Sequence, residues 1–298
     1  MLFRSVTYRE VSNANRAKYK WYEMHDGVKM THTELKMAGI SVSPDSNEPG
    51  APSEAEKFAL VNLLQEKWDT WDEEYDRDWN AMLWADGTAD PLKPAGITAI
   101  IADDPRTGTL GGFDRATMVD GNNRPFWRNR ARTGTLPTDS TWGITGAALT
   151  GGTPSNQTVV TFLQKEWRQL RRFQRGANQT LWLAGSDFID QVEQELRSKG
   201  NYTLEGWMNK KATDAGMADI AFKGNAIQYD PTLDDLGRSK YLYIIDTSAI
   251  ELRGMRNETD KMHKPSRPVD QYVLHRAKTW TGAICAWQLN SSGVYAIT

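Results

Sequence analysis

The sequence predicts an α+β fold, with long helices early in the chain and short strands late. Three observations support this prediction. Apolar residues follow one helical stripe over residues 54–85 and a second over residues 155–175. From residue 179 to the C-terminus, short β-favouring runs alternate with turn residues, around one more helical run that starts at Ser186. The order of elements therefore separates an early helical part from a late strand-rich part.

The first helical stripe is long and rich in aromatic residues. Ser53 and Glu56 have the spacing of a capping box. A helix over residues 54–85 would be about 48 Å long at 1.5 Å per residue. Its apolar residues recur at steps of three and four: Val61, Leu64, Trp68, Trp71, Tyr75, Trp79 and Met82. Its other face is acidic, which is typical of a solvated surface: Glu66, Asp69, Asp72, Glu73, Glu74, Asp76 and Asp78.

Before this helix, residues 18–52 are predicted to form an extended hairpin and a linker. Residues 18–24, KYKWYEM, favour a strand, Asp26-Gly27 is a turn signal, and the chain would run back from Val28. Residues 44–53 are rich in Pro, Gly and Ser and read as a linker. Because an isolated hairpin is marginally stable, we expect this one to lie on another surface.

Residues 97–101, ITAII, are predicted to be a strand, followed by a long glycine- and arginine-rich stretch at 108–130. After the second helix come a strand at 179–185 and the helix from Ser186. Two short strands flank Lys223-Gly224-Asn225, two more lie in 240–254, and the C-terminus is strand-rich.

Composition excludes several classes of function. The chain has 298 residues and a formal net charge of −2, so it has no overall attraction for nucleic acid or anionic membranes. A single cysteine, Cys285, rules out an intrachain disulfide, and its apolar setting, AICAW, predicts a buried structural thiol. The N-terminal residues lack the apolar core of a secretory signal, which favours a soluble protein made inside the cell.

No pattern in the sequence identifies an enzyme. The stretch at 108–130 has glycines but no following Lys-Ser/Thr, so it is not a P-loop, and it lacks the glycine order of a dinucleotide turn. The four histidines have no zinc-ligand spacing, and no G-x-S-x-G occurs. The acidic pairs Asp103-Asp104 and Asp234-Asp235 are the weak remaining candidates for hydrolytic chemistry. We therefore predict no catalytic residues, no cofactor and no metal.

Seven local motifs, in order, resemble the major capsid proteins of tailed bacteriophages, which have the Hong Kong 97-type fold. Residues 17–39 look like their extended hairpin, residues 54–85 like their long spine helix, and WADGTADPLKPAG like the segment after it. GTLGGFDR followed by WRN, from Gly108 to Asn129, resembles one branch of these proteins. TLWLAGSDFIDQVEQEL, ADIAFKGNAIQYDP and KYLYIIDTSAIELRG resemble their later strand and helix segments. The resemblance covers the chain from about Ala17 to the C-terminus.

The resemblance implies a domain plan for the chain. Residues 1–17 would be an N-terminal arm, shorter than in most members, and 18–52 the hairpin (E-loop) and linker. Residues 53–95 and 230–298 would form a peripheral (P) domain, and 96–229 an axial (A) domain.

The resemblance also implies a role without catalysis. The chain would assemble with itself into pentamers and hexamers of an icosahedral or prolate shell around double-stranded DNA. Scaffolding, portal and cement proteins would be further partners, contact with the packaged DNA would be weak and non-specific, and no membrane would be involved. The protein would be part of the virion, assembled in the cytoplasm of a host bacterium.

Three groups of residues are expected to matter for such an assembly. The hairpin would contact a neighbouring subunit through Lys20, Trp21, Tyr22, Lys29 and Lys36. The glycine- and arginine-rich loop would contact a neighbour or DNA through Arg115, Arg124, Trp127, Arg128 and Arg130. The spine helix would use Trp68, Trp71, Tyr75 and Trp79. Some relatives crosslink a Lys to an Asn between subunits, but nothing in this sequence selects that reaction.

Other functions remain open at the level of sequence. Twelve tryptophans and many carboxylates would also suit a carbohydrate-active hydrolase with a Trp-lined cleft and a carboxylate pair. A DNA-binding protein could use the basic end of the second helix, Arg168, Arg171, Arg172 and Arg175. Encapsulin nanocompartments share the same fold, although the GGFDR and WRN motifs favour the phage proteins.

Overall fold

A computed structural model describes residues 16–37, 54–87, 90, 92–116, 126–134, 146–152, 158–174, 180–197, 220–263 and 273–298. The helices in these ranges are α1 (His32–Met37), α2 (Glu54–Trp84), α3 (Ile97–Ile100), α4 (Thr158–Phe173), α5 (Ser186–Arg197) and α6 (Pro231–Asp235). The strands are β1 (Tyr22–Thr31), β2 (Thr109–Leu110), β3 (Phe113–Asp114), β4 (Arg130–Arg132), β5 (Thr180–Ala184), β6 (Ile220–Phe222), β7 (Asn225–Tyr229), β8 (Tyr241–Asp246), β9 (Ile250–Gly254), β10 (Lys261–Met262), β11 (Val273–Ala286) and β12 (Gly293–Ala296).

The sheet with the most strands in the described residues is mixed and has six strands, in the order β4-β12-β8-β5-β7-β6. Strand β8 runs antiparallel to both of its neighbours, β12 and β5. Five of its six residues are buried, as expected for a central strand covered on both faces. Successive residues of β8 therefore enter two different cores.

Helices α4 and α5 cover one face of this sheet. Val159 and Leu163 of α4, and Phe188 of α5, pack with Trp182 of β5 and Leu242 of β8 in one buried cluster. The apolar spacing within each helix gives a single stripe, which is why each of them buries one side and exposes the other.

The opposite face of the six-stranded sheet is covered by the end of α2, by α3 and by the loop after it. Trp84, Ile100 and Trp127 pack there with Tyr243 of β8 and Val294 of β12. The end of β11 joins the same cluster, so the two sheets of the protein share a core.

A second sheet has four strands, and the long strand β11 pairs with each of the other three. Strand β1 pairs antiparallel with β11 over ten residues, from Tyr22 opposite Gly282 to Thr31 opposite Val273. Strands β10 and β9 pair with the other edge of β11. The helix α2 lies against this sheet through its aromatic residues.

Most predicted elements are confirmed. The long helix is observed as α2, the second helix as α4, and the helix predicted from Ser186 as α5. The strands predicted on either side of Lys223-Gly224 are β6 and β7. All seven acidic residues predicted on the outer side of α2 are exposed.

The turn predicted at Asp26-Gly27 is wrong. Both residues lie inside β1, and Gly27 faces Ala277 of β11. A Cβ on Gly27 would come within 2.9 Å of the carbonyl oxygen of Arg276, so a close strand approach requires the glycine here. The segment from Tyr22 to Thr31 is thus one strand of an intramolecular sheet, whereas the linker at 44–53 lies outside the described residues.

The strand predicted at 97–101 is also wrong, because Ile97–Ile100 form the short helix α3. An apolar run of five residues cannot be assigned to helix or strand from periodicity alone. Here the preceding Gly96 lies so close to the end of α2 that a Cβ would meet the carbonyl oxygen of Ala85 at 2.0 Å. This contact sets the direction in which the chain enters α3.

The domain boundary predicted at residues 229/230 does not coincide with a boundary between sheets. Strands β8 and β12 come from the segment assigned to the peripheral domain, yet they lie in the middle of the six-stranded sheet. Their neighbours β4 and β5 come from the segment assigned to the axial domain. Sequence order alone could not show that the chain returns to this sheet as β12.

Candidate functional site

The glycine- and arginine-rich loop is held together by two buried arginines. The Nη2 atom of Arg115 donates to the carbonyl oxygens of Ala99 and Ile100, at 2.8 and 2.7 Å. Arg128 in turn donates from Nε and Nη2 to the carbonyl oxygen of Arg115, at 2.9 and 2.7 Å. Arg115 thus fastens the loop to the backbone of α3, and Arg128 stabilises the loop by hydrogen bonds to its own backbone.

The expectation that Arg115, Trp127 and Arg128 contact a neighbour or DNA is therefore wrong. Arg115 is 1% exposed, Trp127 3% and Arg128 7%. The indole nitrogen of Trp127 donates to the carbonyl oxygen of Leu110. A side chain enclosed in this way by its own chain cannot reach a second molecule. Arg124, from the same group, lies outside the described residues.

Burial lowers the pKa of Arg115 to about 10. The side chain still carries its charge at neutral pH. Its Nε and Nη1 atoms find no hydrogen-bond partner among the described residues, so Arg115 is an incompletely paired internal cation.

Arg130 forms an internal ion pair rather than an external contact. Its Nε and Nη2 atoms donate to the two carboxylate oxygens of Glu166, at 2.5 and 2.8 Å. The hydroxyl of Tyr295 donates to the same carboxylate at 3.0 Å. This fork-shaped pairing joins β4, α4 and β12, and both charged side chains are largely buried.

The aromatic row of α2 faces the four-stranded sheet. The guanidinium of Arg276 lies 4.2 Å from the ring centroid of Trp68. The Trp71 indole donates to Asp26 of β1 at 2.8 Å, and Trp79 packs edge-on against Trp280 at 4.6 Å.

Tyr75 continues the row. Lys278 lies 4.1 Å from its ring centroid, and burial, followed by the charge of Asp260, raises the pKa of its hydroxyl to about 12. The four aromatic residues predicted on this helix thus stabilise the subunit itself.

The residues predicted on the hairpin lie at the start and on the outer side of β1. Lys20, Trp21 and Lys29 are exposed, Trp21 by 50%, and Tyr22 is half-buried. The side chain of Lys36 lies outside the described residues.

Cys285 of β11 is half-buried rather than fully buried, which corrects the prediction of a buried structural thiol. Burial nevertheless raises the pKa of its thiol.

The acidic pairs proposed for hydrolysis have structural partners. Arg238 donates to both carboxylate oxygens of Asp103, and Arg106 binds both oxygens of Asp104. Asp234 accepts from the backbone nitrogen of Ser186 and the hydroxyl of Tyr229. In the described part of the chain, no cluster of three or more His, Cys, Asp or Glu could hold a metal ion.

Two carboxylates that the sequence did not single out organise the ends of helices. Glu195 of α5 is fully buried and accepts from the backbone nitrogens of Gly152, Val159 and Val160, at 2.7, 3.1 and 3.0 Å. It thereby caps the start of α4. Because this carboxylate is remote in sequence from the helix it caps, no local pattern could have revealed it.

Asp230 plays a similar part for α6. It accepts from the backbone nitrogen of Thr232 at 3.0 Å and from the indole of Trp84 at 2.6 Å. Asn80 donates to it as well. The end of α2 is thereby fastened to the start of α6. The D-P dipeptide at 230–231 is the local signal that would have predicted this cap.

Two exposed helix faces carry opposite charge. The outer side of α2 is acidic, as described above. The outer side of α4 carries Lys165, Arg168, Arg171 and Arg172, all exposed and none in a salt bridge with another described residue. Arg175, grouped with them in the sequence, is not among the described residues. Among those that are, no helix is long and apolar enough to span a membrane.

Comparison with known proteins gives a fold but no sequence family. No protein-family model matches the sequence, and no curated protein is significantly similar to it. A capsid structure of cyanophage A-1(L) matches with a TM-score of 0.53 and 16% identity, over 92% of this chain and 77% of that one. The capsid of Myoviridae phage XM1 matches with a TM-score of 0.52 and 10% identity, over 98% of this chain and 82% of that one.

These two structures share the mixed helix and sheet architecture along almost the whole of this chain, at identities too low for sequence comparison to detect. The chain therefore has the fold of phage major capsid proteins.

Proposed function

We propose that this chain is the major capsid protein of a tailed bacteriophage, a structural protein that assembles with itself into a closed shell. The observation that carries the proposal is the fold shared with two phage capsid structures over 92% and 98% of the chain. Heterologous contacts that close around five- and sixfold axes would build pentamers and hexamers, and these would enclose double-stranded DNA.

The two sheets correspond to two domains in the proposed subunit. Helix α2 with the sheet of β1, β9, β10 and β11 would form the peripheral domain. The six-stranded sheet with α4 and α5 would form the axial domain at the centre of each ring. This assignment places β8 and β12 in the axial domain, which follows their pairing with β5 and β4.

The start of β1 is the best-supported contact with a neighbouring subunit. Trp21 lies directly before β1 and is half-exposed, and Lys20 next to it and Lys29 on the outer side of β1 are exposed as well. Partly exposed tryptophans are common anchors of protein interfaces. Lys36 would belong to the same contact.

The shared capsid fold is also the basis on which further partners are proposed. Scaffolding, portal and cement proteins would act on the assembled shell, and packaged DNA would make weak contacts with it. The protein would then belong to the virion and would be assembled in the bacterial cytoplasm.

No observation favours the carbohydrate-active hydrolase. A general acid at neutral pH needs a carboxyl whose pKa is raised. The hydrogen bond from Arg106 lowers the pKa of Asp104. Hydrogen bonds from Ser186 and Tyr229 outweigh desolvation and lower the pKa of Asp234 as well. Both carboxylates are therefore suited to binding their partners rather than to proton transfer.

The proposal is tested by the mass of the purified protein in solution. Light scattering coupled to size exclusion should show species of five or six times the 33.6 kDa of one chain, or far larger shells. A subunit that stays monomeric at high concentration, also with the scaffolding protein of its own phage added, would contradict it.

A further inference from the structure

The cations on α4 form a regular row. Lys165, Arg168 and Arg172 are spaced by three and four residues, so they lie on one side of the helix within about 10 Å along its axis. All three are exposed, and none of them forms a salt bridge within the described part of the subunit. A row of exposed cations on one side of a helix is a surface on which an anionic partner can bind.

The acidic side of α2 carries a row with the same spacing in reverse. Asp69, Glu73 and Asp76 are separated by four and three residues and are exposed. Glu73 is the only member of this row with a salt bridge in the described residues, to the exposed Arg77 at 3.8 Å. Such an exposed pair contributes little and can exchange partners.

We propose that α4 of one subunit binds α2 of a neighbouring subunit in an antiparallel arrangement. Lys165 would face Asp76, Arg168 would face Glu73, and Arg172 would face Asp69. The proposal rests on the proposed self-assembly and adds the surfaces that meet. Because the two rows lie on different elements of the same chain, the contact can repeat head-to-tail from one subunit to the next and close into a ring.

The two charged rows would determine the register of the α4–α2 contact and the rate of association more than the affinity between subunits. Complementary charges steer encounter and exclude wrong arrangements, whereas solvent-exposed pairs add little binding energy individually. Screening shortens their reach to about 10 Å at 0.1 M salt, so assembly should slow as salt is added. The antiparallel arrangement also places the helix dipoles in opposite directions.

Charge reversal and its rescue test the pairing. The double variant Arg168→Glu, Arg172→Glu should reduce the initial rate of assembly about tenfold at low salt, because like charges would face each other. Adding Asp69→Lys and Glu73→Lys in the same chain should restore it. The double variant Lys93→Glu, Lys240→Glu changes the net charge equally at exposed positions off both helices and should assemble normally. Circular dichroism confirms that each variant is folded.

A disulfide test reports the contact directly. In a Cys285→Ser background, chains with Arg168→Cys are mixed with chains carrying Glu73→Cys and assembled under mild oxidation. A crosslinked dimer that contains one chain of each kind is expected, and none is expected from Lys93→Cys mixed with Glu73→Cys.

The outcomes separate this inference from the proposed function. If the unaltered protein does not assemble, the proposed function fails. If it assembles but the reversed variants assemble equally fast and no mixed dimer forms, the proposed contact alone is overturned. Normal assembly of Arg168→Glu, Arg172→Glu shells with weakened binding of a duplex DNA probe would overturn it in favour of phosphate contacts on α4.

Discussion

At the scale of single residues, the arginines of the loop at 108–130 show where sequence reasoning failed. A glycine- and arginine-rich loop is typical of a surface that binds anions, yet Arg115 and Arg128 bind the carbonyl oxygens of their own chain. Gly111, with a φ of +61°, makes the tight turn that brings the loop against Ala17 and Tyr19. Composition indicates which groups need partners, but not whether the partners are internal.

The ion pair of Arg130 and Glu166 leads to a prediction about stability. Glu166→Met would leave a largely buried guanidinium and the Tyr295 hydroxyl without their acceptor. We expect the free energy of unfolding to fall by about 3 to 5 kcal/mol. Chemical denaturation of the subunit measures it.

The matched control is the double variant Arg130→Met, Glu166→Met. Because it removes both charges together, it should recover most of the loss caused by Glu166→Met. A double variant as unstable as the single one would show that the pair is not an isolated unit.

The buried carboxylate of Glu195 leads to a second prediction. Glu195→Ala would leave the backbone nitrogens of Gly152, Val159 and Val160 without an acceptor. The expected loss is about 3 kcal/mol, measured by denaturation. Glu195→Gln should lose less, because its amide oxygen can still accept from two of them. Equal stability of Glu195→Ala and the unaltered protein would show that this cap contributes nothing.

At the scale of elements, long amphipathic helices were the most predictable part of the fold. The period of apolar residues alone gave α2 and α4, because one buried stripe repeats over many turns. Elements of four or five residues were not predictable in this way, as α3 shows. The strand β1 was predicted wrongly for another reason. A D-G dipeptide signals a hairpin turn, but the partner of β1 is the strand β11, about 250 residues further along the chain, and no local pattern indicates that pairing.

The glycine in the middle of β1 leads to a third prediction. Gly27→Val should weaken the pairing of β1 with β11, because a side chain there meets the backbone of Arg276 and Ala277. We expect a loss of about 2 kcal/mol in the free energy of unfolding. Amide hydrogen exchange of β1 should accelerate more than that of β8. His25→Ala, on the same outer side of β1, is the control and should change neither measurement. Unchanged exchange in Gly27→Val would contradict the close strand approach.

At the scale of the whole molecule, the order of motifs predicted the fold class. The path of the chain between the two sheets became visible only from the strand pairings in the structure. The chain leaves the six-stranded sheet after β8, contributes β9, β10 and β11 to the other sheet, and returns as β12. Pairings over such distances depend on tertiary packing, which local propensity does not encode. The charged rows on α2 and α4 look like ordinary solvated faces in the sequence, and the structure adds that they are exposed and that, among the described residues, only Glu73 of the two rows forms a salt bridge.

The most direct test of the central claim is electron microscopy of the purified protein, expressed alone and with the scaffolding protein of its own phage. The account predicts closed shells, or rings of five and six subunits, whose reconstruction contains the fold described above. Particles of irregular size without five- or sixfold symmetry, or single subunits under both conditions, would contradict it.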